Sequence, residues 1–388
     1  MSGSLAPVAI AGIGQTEFSK ASGRSELQLA LEAITAAAAD AGLPVEAIDG
    51  LVTFSIDSSD QITVARNLGL PELRFFSSSL YGGGGAVATL QLACMAVATG
   101  TARAVAVYRA LNERSGNRFG RPRDAAGGGV PPAMSFSTPF GLHTPAQYVA
   151  LTARRYMHVY GVDNVDLAPV TVAARHHAAT NPAAYFHGRP VTVADHQASR
   201  WIVEPVLRLL DCCQESDGGV ALVVTGADRA RDLRQPPVRV VAAAQGAGPS
   251  PQMMTGYYHG DLTDLPDMAV VARQLWAESG LGPADVQVAN LYDHFTPFVL
   301  MQLEELGFCG RGEAKDFVAD GALHVGGRLP LNPHGGHLGE AYIHGLNGVT
   351  EAVRQLRGTA VNQVQGVEHV LVTAGTGLPT SGAVLGRA

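Results

Sequence analysis

Apolar runs and helical periodicities alternate along this chain. Residues 7–13 form a short apolar run ending in Gly12-Ile13-Gly14, the pattern of a buried strand. Ser25 then precedes a stretch, residues 26–41, whose apolar positions recur at helical spacing and stop at Gly42. A second strand-like run covers residues 48–54. Four glycines at 82–85 open an Ala-rich helix to about residue 99, and residues 103–108 read as the strand after it. Strand, helix, strand, helix, strand is the order of an α/β protein.

Residues 111–200 break this rhythm with Pro122, Gly127-Gly128-Gly129, Pro131-Pro132, Pro139 and Pro145. Helical patterns return near 146–160 and 167–179, so the region reads as an inserted loop domain, of a length that lids or lines a site. Residues 201–213 and 218–225 are predicted as helix and then strand, with Pro205 limiting where that helix begins. The pattern then starts again: an apolar run at 238–244, a helix at 267–279, a strand at 286–291, a helix at 342–356 and a strand at 368–373. Ala277-Glu278-Ser279-Gly280-Leu281 before the later strand matches Ala39-Asp40-Ala41-Gly42-Leu43 before the earlier one. The last helix and strand mirror 85–99 and its strand. Two matches in the same order point to a duplicated α/β unit, residues 1–235 and 236–388, with equivalent loops meeting at one site.

Composition narrows the class. Hydrophobic residues are 46% and charged residues 16%, which implies surface buried in a subunit interface or under a partner. A net charge of -7 without a basic run argues against nucleic acid or an anionic membrane as main partner. Cys94, Cys212, Cys213 and Cys309 show neither metal-ligand nor disulfide-framework spacing. No signal peptide opens the chain, and the longest uncharged apolar stretch, 77–101, is broken by five glycines. A soluble cytoplasmic protein is expected. Gly12-Ile13-Gly14-Gln15-Thr16-Glu17 lacks the third glycine of a dinucleotide site.

Candidate chemistry is concentrated in two stretches. One is Leu291-Tyr292-Asp293-His294-Phe295-Thr296-Pro297-Phe298, at the end of a predicted strand. The other is Asn332-Pro333-His334-Gly335-Gly336-His337-Leu338-Gly339-Glu340-Ala341-Tyr342-Ile343-His344-Gly345, a loop running into a helix. Such positions carry function in α/β proteins. Asp293 and Glu340 suit backbone capping as well as acid–base work. His334 and His337 look like a metal pair but lack a third ligand of known position, so no metal is expected. His176, His177 and His187 are expected at the surface or lining a site.

The duplicated pattern, with Gly335-Gly336, Gln355-Leu356-Arg357-Gly358, Asp211-Cys212-Cys213-Gln214-Glu215-Ser216-Asp217-Gly218 and Thr373-Ala374-Gly375-Thr376-Gly377, resembles the thiolase superfamily over nearly the whole chain. Asn112-Glu113-Arg114-Ser115-Gly116, the Tyr292 stretch with Glu304-Glu305-Leu306-Gly307-Phe308-Cys309, and Glu340-Ala341-Tyr342-Ile343-His344-Gly345 are similar to its lipid-transfer-protein-like branch, in particular the bacterial steroid side-chain aldolases. The resemblance implies five layers, α-β-α-β-α, with five strands in each sheet. It also implies an acyl-CoA steroid substrate, a homodimer core, and a small partner protein with an OB-fold and zinc-ribbon. CoA enters as part of the substrate, with no covalently bound cofactor. Arg114, Arg118, Arg121 and Arg123 are candidates for its phosphates or a solvated loop; the cofactor-contacting residues are otherwise unassigned.

The departures from a working thiolase define the chemistry. Counting back from Gly100 by the family's spacing puts the nucleophile at about Gly83, where no Cys stands. The base of the Gly-His-Pro loop aligns with Tyr342, the Asn or His of the second motif with Tyr292, and the second Cys with Thr373. Claisen chemistry needs an activated thiolate, whereas a retro-aldol step needs only a base for a β-hydroxyl, an acid for the carbanion and donors for the enolate. Residue chemistry reaches only a thioester substrate without a thiolate; the resemblance implies the rest, cleavage of a 17-hydroxy steroid acyl-CoA to a 17-ketosteroid and propionyl-CoA. Tyr342 is expected as base and Tyr292 as proton donor, with His294 binding a tyrosine or the thioester oxygen. Asp293, Glu340 and His344 are supporting candidates. His294, His344 and the helix N-terminus are expected to lower a tyrosine pKa from about 10. The rival readings are a non-catalytic sterol or acyl-CoA carrier and a thiolase that works through another Cys.

Overall fold

The structure is a computed structural model of the 388-residue chain and describes residues 6–55, 58–80, 82–120, 135–251, 260–377 and 380–388. Strands in chain order are β1 (Val8–Gln15), β2 (Gly50–Phe54), β3 (Phe75–Ser79), β4 (Ala104–Asn112), β5 (Trp201–Val203), β6 (Leu207–Arg208), β7 (Asp217–Gly226), β8 (Val238–Gly246), β9 (Val288–Asn290), β10 (His369–Ala374) and β11 (Thr380–Arg387). All but β5 and β6 lie in one mixed sheet, ordered β3-β2-β4-β7-β1-β8-β11-β10-β9. Its middle is thin: β1 and β8 share only the pairs Ala9–Arg239 and Ile10–Val238.

On either side of that seam the topology repeats. β2–β4 is parallel, β4–β7 and β7–β1 antiparallel; β9–β10 is parallel, β10–β11 and β11–β8 antiparallel. The expected fifth strand of the second sheet is not found among the described residues, where the sheets hold five and four strands. Its counterpart, β3, is parallel to β2, and the corresponding place beside β9 is reduced to one parallel bridge, Leu331 to Ala289. The loop from Asn332 then leaves that bridge directly.

Five layers follow from the alternation of side chains along the strands. In β4, Val105 and Val107 face a central core, whereas Ala106, Tyr108 and Ala110 face an outer one with Leu29, Ala33 and Ile34 of helix Glu26–Ala41. Ser25 caps that helix, accepting from Gln28 N, and Gly42 ends it at φ 74°. Helices Gly85–Ala98 and Leu346–Arg357 fill the central layer between the two sheets. Helix Pro266–Ser279 covers the far face of the second.

The helices expected near 146–160 and 167–179 are present in the insertion. Helices Pro145–Tyr160 and Ala168–Thr180 bury Tyr156, Leu167 and Val170 in the outer core of the second half, against Phe298 and Leu303. Residues 201–213 form β5, β6 and a turn, not a helix, and the helix expected from 342 starts at Leu346. Helices Gln61–Leu68 and Thr296–Glu305 and strands β3 and β11 were not evident in the apolar pattern. Pro122, Gly127 to Gly129, Pro131 and Pro132 lie outside the described residues.

Candidate active site

Tyr292 is the second residue after β9, and its main chain is braced from three sides. Its N–H donates to Thr373 Oγ1 (3.0 Å), the Thr373 hydroxyl donates to Gln302 Oε1 (2.8 Å), and Gln302 Nε2 donates back to the Tyr292 carbonyl (2.9 Å). This closed ring joins β10, the Tyr292 stretch and helix Thr296–Glu305. Tyr342 comes from the loop before helix Leu346–Arg357, its N–H donating to Ser216 Oγ at 3.2 Å. The two phenol oxygens meet at 2.7 Å.

Gly83 makes room for that contact. A Cβ there would lie 2.0 Å from Tyr292 Oη and 2.6 Å from His344 Cδ2. The Tyr292 hydroxyl thus occupies the space that a side chain at position 83 would need.

Histidine rings wall the pair. The His337 centroid is 4.8 Å from Tyr292 and 5.1 Å from Tyr342; His344 is 4.5 Å from Tyr342, and His294 4.6 Å from Tyr292. Asp293 accepts from the N–H groups of His337 (2.8 Å) and Leu338 (3.4 Å), capping the loop's one helical turn, and lies 3.1 Å from His337 Nδ1. Burial opposes its ionisation, but the charge and hydrogen bonds of His337 prevail and hold its carboxyl below the usual range. Gly336, at φ 60°, is required here: a Cβ would stand 2.1 Å from Asp293 Oδ2.

Electrostatics run against a charged site. Burial, first, pushes both phenols above their ordinary value; the Tyr342 hydrogen bond only partly offsets this for Tyr292. Burial likewise lowers His294 to about 3 and His344 well below its usual value, so both are neutral. The expected lowering of a tyrosine pKa is therefore not found, and the helix that was to assist begins four residues beyond Tyr342. Arg109, fully buried on β4, donates to His344 Nδ1 at 3.4 Å, which leaves the ring proton on Nε2, next to the Cδ2 that abuts Gly83. His294 faces the Tyr292 carbonyl through Nδ1 and the Thr376 hydroxyl through Nε2, each at 3.4 Å.

Glu340 sits apart. It accepts from Asn347 (2.8 Å) and Asn181 (3.2 Å), lies 3.8 Å from His334, and is raised to about 8 by burial. It ties the loop to helix Leu346–Arg357 and to the insertion. His334 and His337 thus face different carboxylates. His177, expected at the surface or lining a site, is buried, with Nδ1 3.2 Å from the Asn332 carbonyl and Nε2 accepting from Val325 N at 3.3 Å; His176 and His187 are exposed. Arg118 pairs with Glu215 at 2.5 Å and Arg114 is exposed, while Arg121 and Arg123 lie outside the described residues.

Comparison with known proteins gives the lineage. The thiolase C-terminal domain-like family matches residues 253–387. A 17-hydroxy-3-oxo-4-pregnene-20-carboxyl-CoA lyase of Mycobacterium tuberculosis is 64% identical, over 97% of this chain and 98% of that one. A steroid side-chain-cleaving aldolase of Thermomonospora curvata is 62% identical over 97% of each. The chain belongs to the thiolase superfamily, in its steroid side-chain-cleaving aldolase family. Among solved structures, an Ltp2-ChsH2(DUF35) aldolase superposes with a TM-score of 0.93 at 62% identity, covering 98% of both chains. Human mitochondrial 3-ketoacyl-CoA thiolase shares the fold, with a TM-score of 0.70 at 14% identity over 99% of both chains.

Within that family the site brings together Tyr292, Tyr342, His294, His344 and Gly83, all singled out in the sequence. Thr373, aligned with the second thiolase Cys, is a main-chain brace. No cysteine is activated: burial pushes Cys94 and Cys309 up to about 12, and raises Cys212 and Cys213 further. Arg109 and Gln302 were missed. A lone arginine in the apolar run Ala104–Asn112 was the available signal for the first; nothing in the sequence marked the second.

Proposed function

We propose that this chain is a carbon–carbon lyase that cleaves the β-hydroxyacyl-CoA side chain of a 17-hydroxy steroid, giving a 17-ketosteroid and propionyl-CoA. The observation that carries the reading is the 2.7 Å contact between Tyr292 and Tyr342, in space that a nucleophile at position 83 would need. A carrier that had merely lost a thiolase site has no use for two braced phenols there.

Retro-aldol cleavage moves a proton from the β-hydroxyl to the α-carbon, atoms two bonds apart. Two hydroxyls in contact can do this as a relay. Tyr342 accepts the substrate proton and passes its own to Tyr292, and Tyr292 gives its proton to the α-carbon. Meanwhile the breaking carbon–carbon bond supplies the enolate, with the thioester carbonyl as electron sink. Each phenol gains and loses one proton, which suits groups whose ionisation burial disfavours. The Nε2–H of His344 is the donor placed to stabilise the enolate oxygen. CoA acts as part of the substrate, and no other cofactor has a step in this scheme.

A homodimer and a second, small partner chain complete the reading. Edge strand β3 leaves Phe76, with Leu80 after it, more than half exposed, which supports pairing with a copy. The solved Ltp2-ChsH2(DUF35) aldolase supports a further chain, in which we include the OB-fold and zinc-ribbon partner. Among the described residues no helix is long and apolar enough to cross a membrane; four free cysteines support a cytoplasmic place.

The test is single-turnover release of propionyl-CoA by Tyr292→Phe, Tyr342→Phe and the double variant. Loss of acid–base catalysis should cost roughly 10²–10⁴ in each. The double loss should fall short of the product of the singles, because both act in one step. Acyl-CoA affinity should persist. Both singles cleaving within about threefold of the parent would end the two-tyrosine mechanism.

A further inference from the structure

A third proton-bearing group stands at the tyrosine pair. Glu113 follows the last residue of β4, Asn112, which pairs with Asp217; two residues before Asp217, Glu215 bridges Tyr342. Arg109 of β4 reaches His344. Glu113 is 1% exposed, and its Oε2 has no hydrogen-bond partner among the described residues. Its charge would act on Tyr292, Tyr342, Cys213 and Lys20.

The carboxylates around it are already engaged. Glu215 binds Arg118 (2.5 Å) and Gly120 N (2.9 Å); Asp217 accepts from Arg114 N (2.9 Å), Ser115 N (3.1 Å) and Ser22 N (3.1 Å). A buried carboxyl oxygen left without a partner, as Glu113 Oε2 is among the described residues, is costly unless something binds it. The group it lacks is therefore sought among the atoms that enter this site.

We propose that Glu113 is a positioning residue of the tyrosine site, its buried side chain donating a hydrogen bond to the oxygen relay when substrate is bound. The inference rests on the lyase reading above. Burial, then the charge of Glu215, push its pKa well above the ordinary carboxyl value, against the smaller pulls of Arg109 and Lys20; Asp217 adds to the push. A neutral acid adds no charge next to a developing enolate, whereas an ionised one would repel it.

The experiment compares Glu113→Gln, which keeps an uncharged donor, with Glu113→Leu, which keeps only bulk. Gln should hold kcat within about threefold of the parent. Leu should lower kcat about 10²-fold, in the range for a lost transition-state donor, with KM little changed. The parent should lose activity toward high pH as Glu113 ionises, and Gln should remove that limb. Isotope-edited infrared spectra of the whole protein should show, beside the acid bands of Glu340 and Glu351, a carboxylic-acid carbonyl component at neutral pH that Gln removes. Gln as damaging as Leu, or both variants near the parent rate, overturns the proposal. If Leu does not fold, a parental basic limb and an unchanged acid band in Gln overturn it equally. Tyr292→Phe and Tyr342→Phe in the same assay keep the two ideas separable: if they cleave normally the lyase mechanism fails, while the infrared band still reports on Glu113.

Discussion

Adding one methyl group at Gly83 tests why this site has no nucleophile. The backbone there is not in the left-handed region, so Gly83→Ala isolates the steric effect. Ordinary contact begins near 3.4 Å, and the new Cβ would stand 2.0 Å from Tyr292 Oη. The hydroxyl must therefore retreat by about 1.4 Å, the difference of those distances. Tyr292 is held by the Thr373–Gln302 ring, so the ring swings rather than the backbone. A shift of that size takes the 2.7 Å Tyr292–Tyr342 contact beyond hydrogen-bond range unless Tyr342 follows. Misplacing a reacting group by about 1 Å costs about 10²-fold, so kcat should fall by at least that. Overpacking should lower stability by about 1–3 kcal/mol, leaving a folded protein. The assay is single-turnover propionyl-CoA release, with acyl-CoA affinity and a thermal melt as controls. A folded Gly83→Ala protein that cleaves within threefold of the parent would refute the reasoning.

Thr373→Val keeps the shape but strips the acceptor from Tyr292 N–H; it should cost about 1–3 kcal/mol for the orphaned donor and reduce kcat, and an unchanged melt would show the brace to be idle. Cys94→Ala should leave turnover within a few-fold, and its complete loss in a folded variant would restore a thiolase reading. Stability should fall between pH 6.5 and 8. Burial lowers His177, His294, His324, His334 and His344, so the unfolded chain binds more protons there below 6.5 and the histidine contribution to stability rises with pH up to that point. Burial raises Glu340 to about 8, Glu351 to about 7, and Glu113, so above 4.5 the folded chain holds protons that the unfolded one has released, and stability falls as pH climbs toward 8. Above pH 6.5 the histidine contribution is complete while Glu340 and Glu351 still hold protons in the folded chain; melting temperatures that kept rising from pH 6.5 to 8 would contradict this.

Elements with strong local signals were legible in the sequence. Ser25 and Gly42 bracket their helix, and the alternation in β4 is plain. Strand β3, Phe-Phe-Ser-Ser-Ser, was not, because only its edge position gives it pairing partners. That the second sheet holds four strands among the described residues could not be read either: Leu331 makes one bridge, which no periodicity records. At the site, residue identity and alignment found both tyrosines, because each falls at a catalytic position of the thiolase pattern, Tyr292 after β9 and Tyr342 in the loop before helix Leu346–Arg357. Electrostatic direction was misjudged. His294 and His344 look basic in a sequence, but complete burial makes them neutral, so they cannot draw a phenol toward ionisation. Gln302 acts through main-chain atoms of a residue ten positions away, and such contacts leave no pattern.

The same burial that disables a cysteine here selects the kind of chemistry that remains. A thiolate needs a charge-stabilising niche, and burial raises every thiol in the chain instead. A phenolate meets the same penalty, and of the rings packed on the tyrosines, His294 and His344 carry no charge to offset it. Moving a proton through two touching hydroxyls creates no buried ion on the protein, so it avoids a cost that either ionised route would incur. In the proposed scheme the one charge that forms is on the substrate enolate, and the groups assigned to it are donors rather than counter-ions: His344, fixed in its tautomer by Arg109, and the phenol that has just received a proton. Gly83 is what lets the two hydroxyls touch, so the proposed relay depends on the space that a side chain at position 83 would fill.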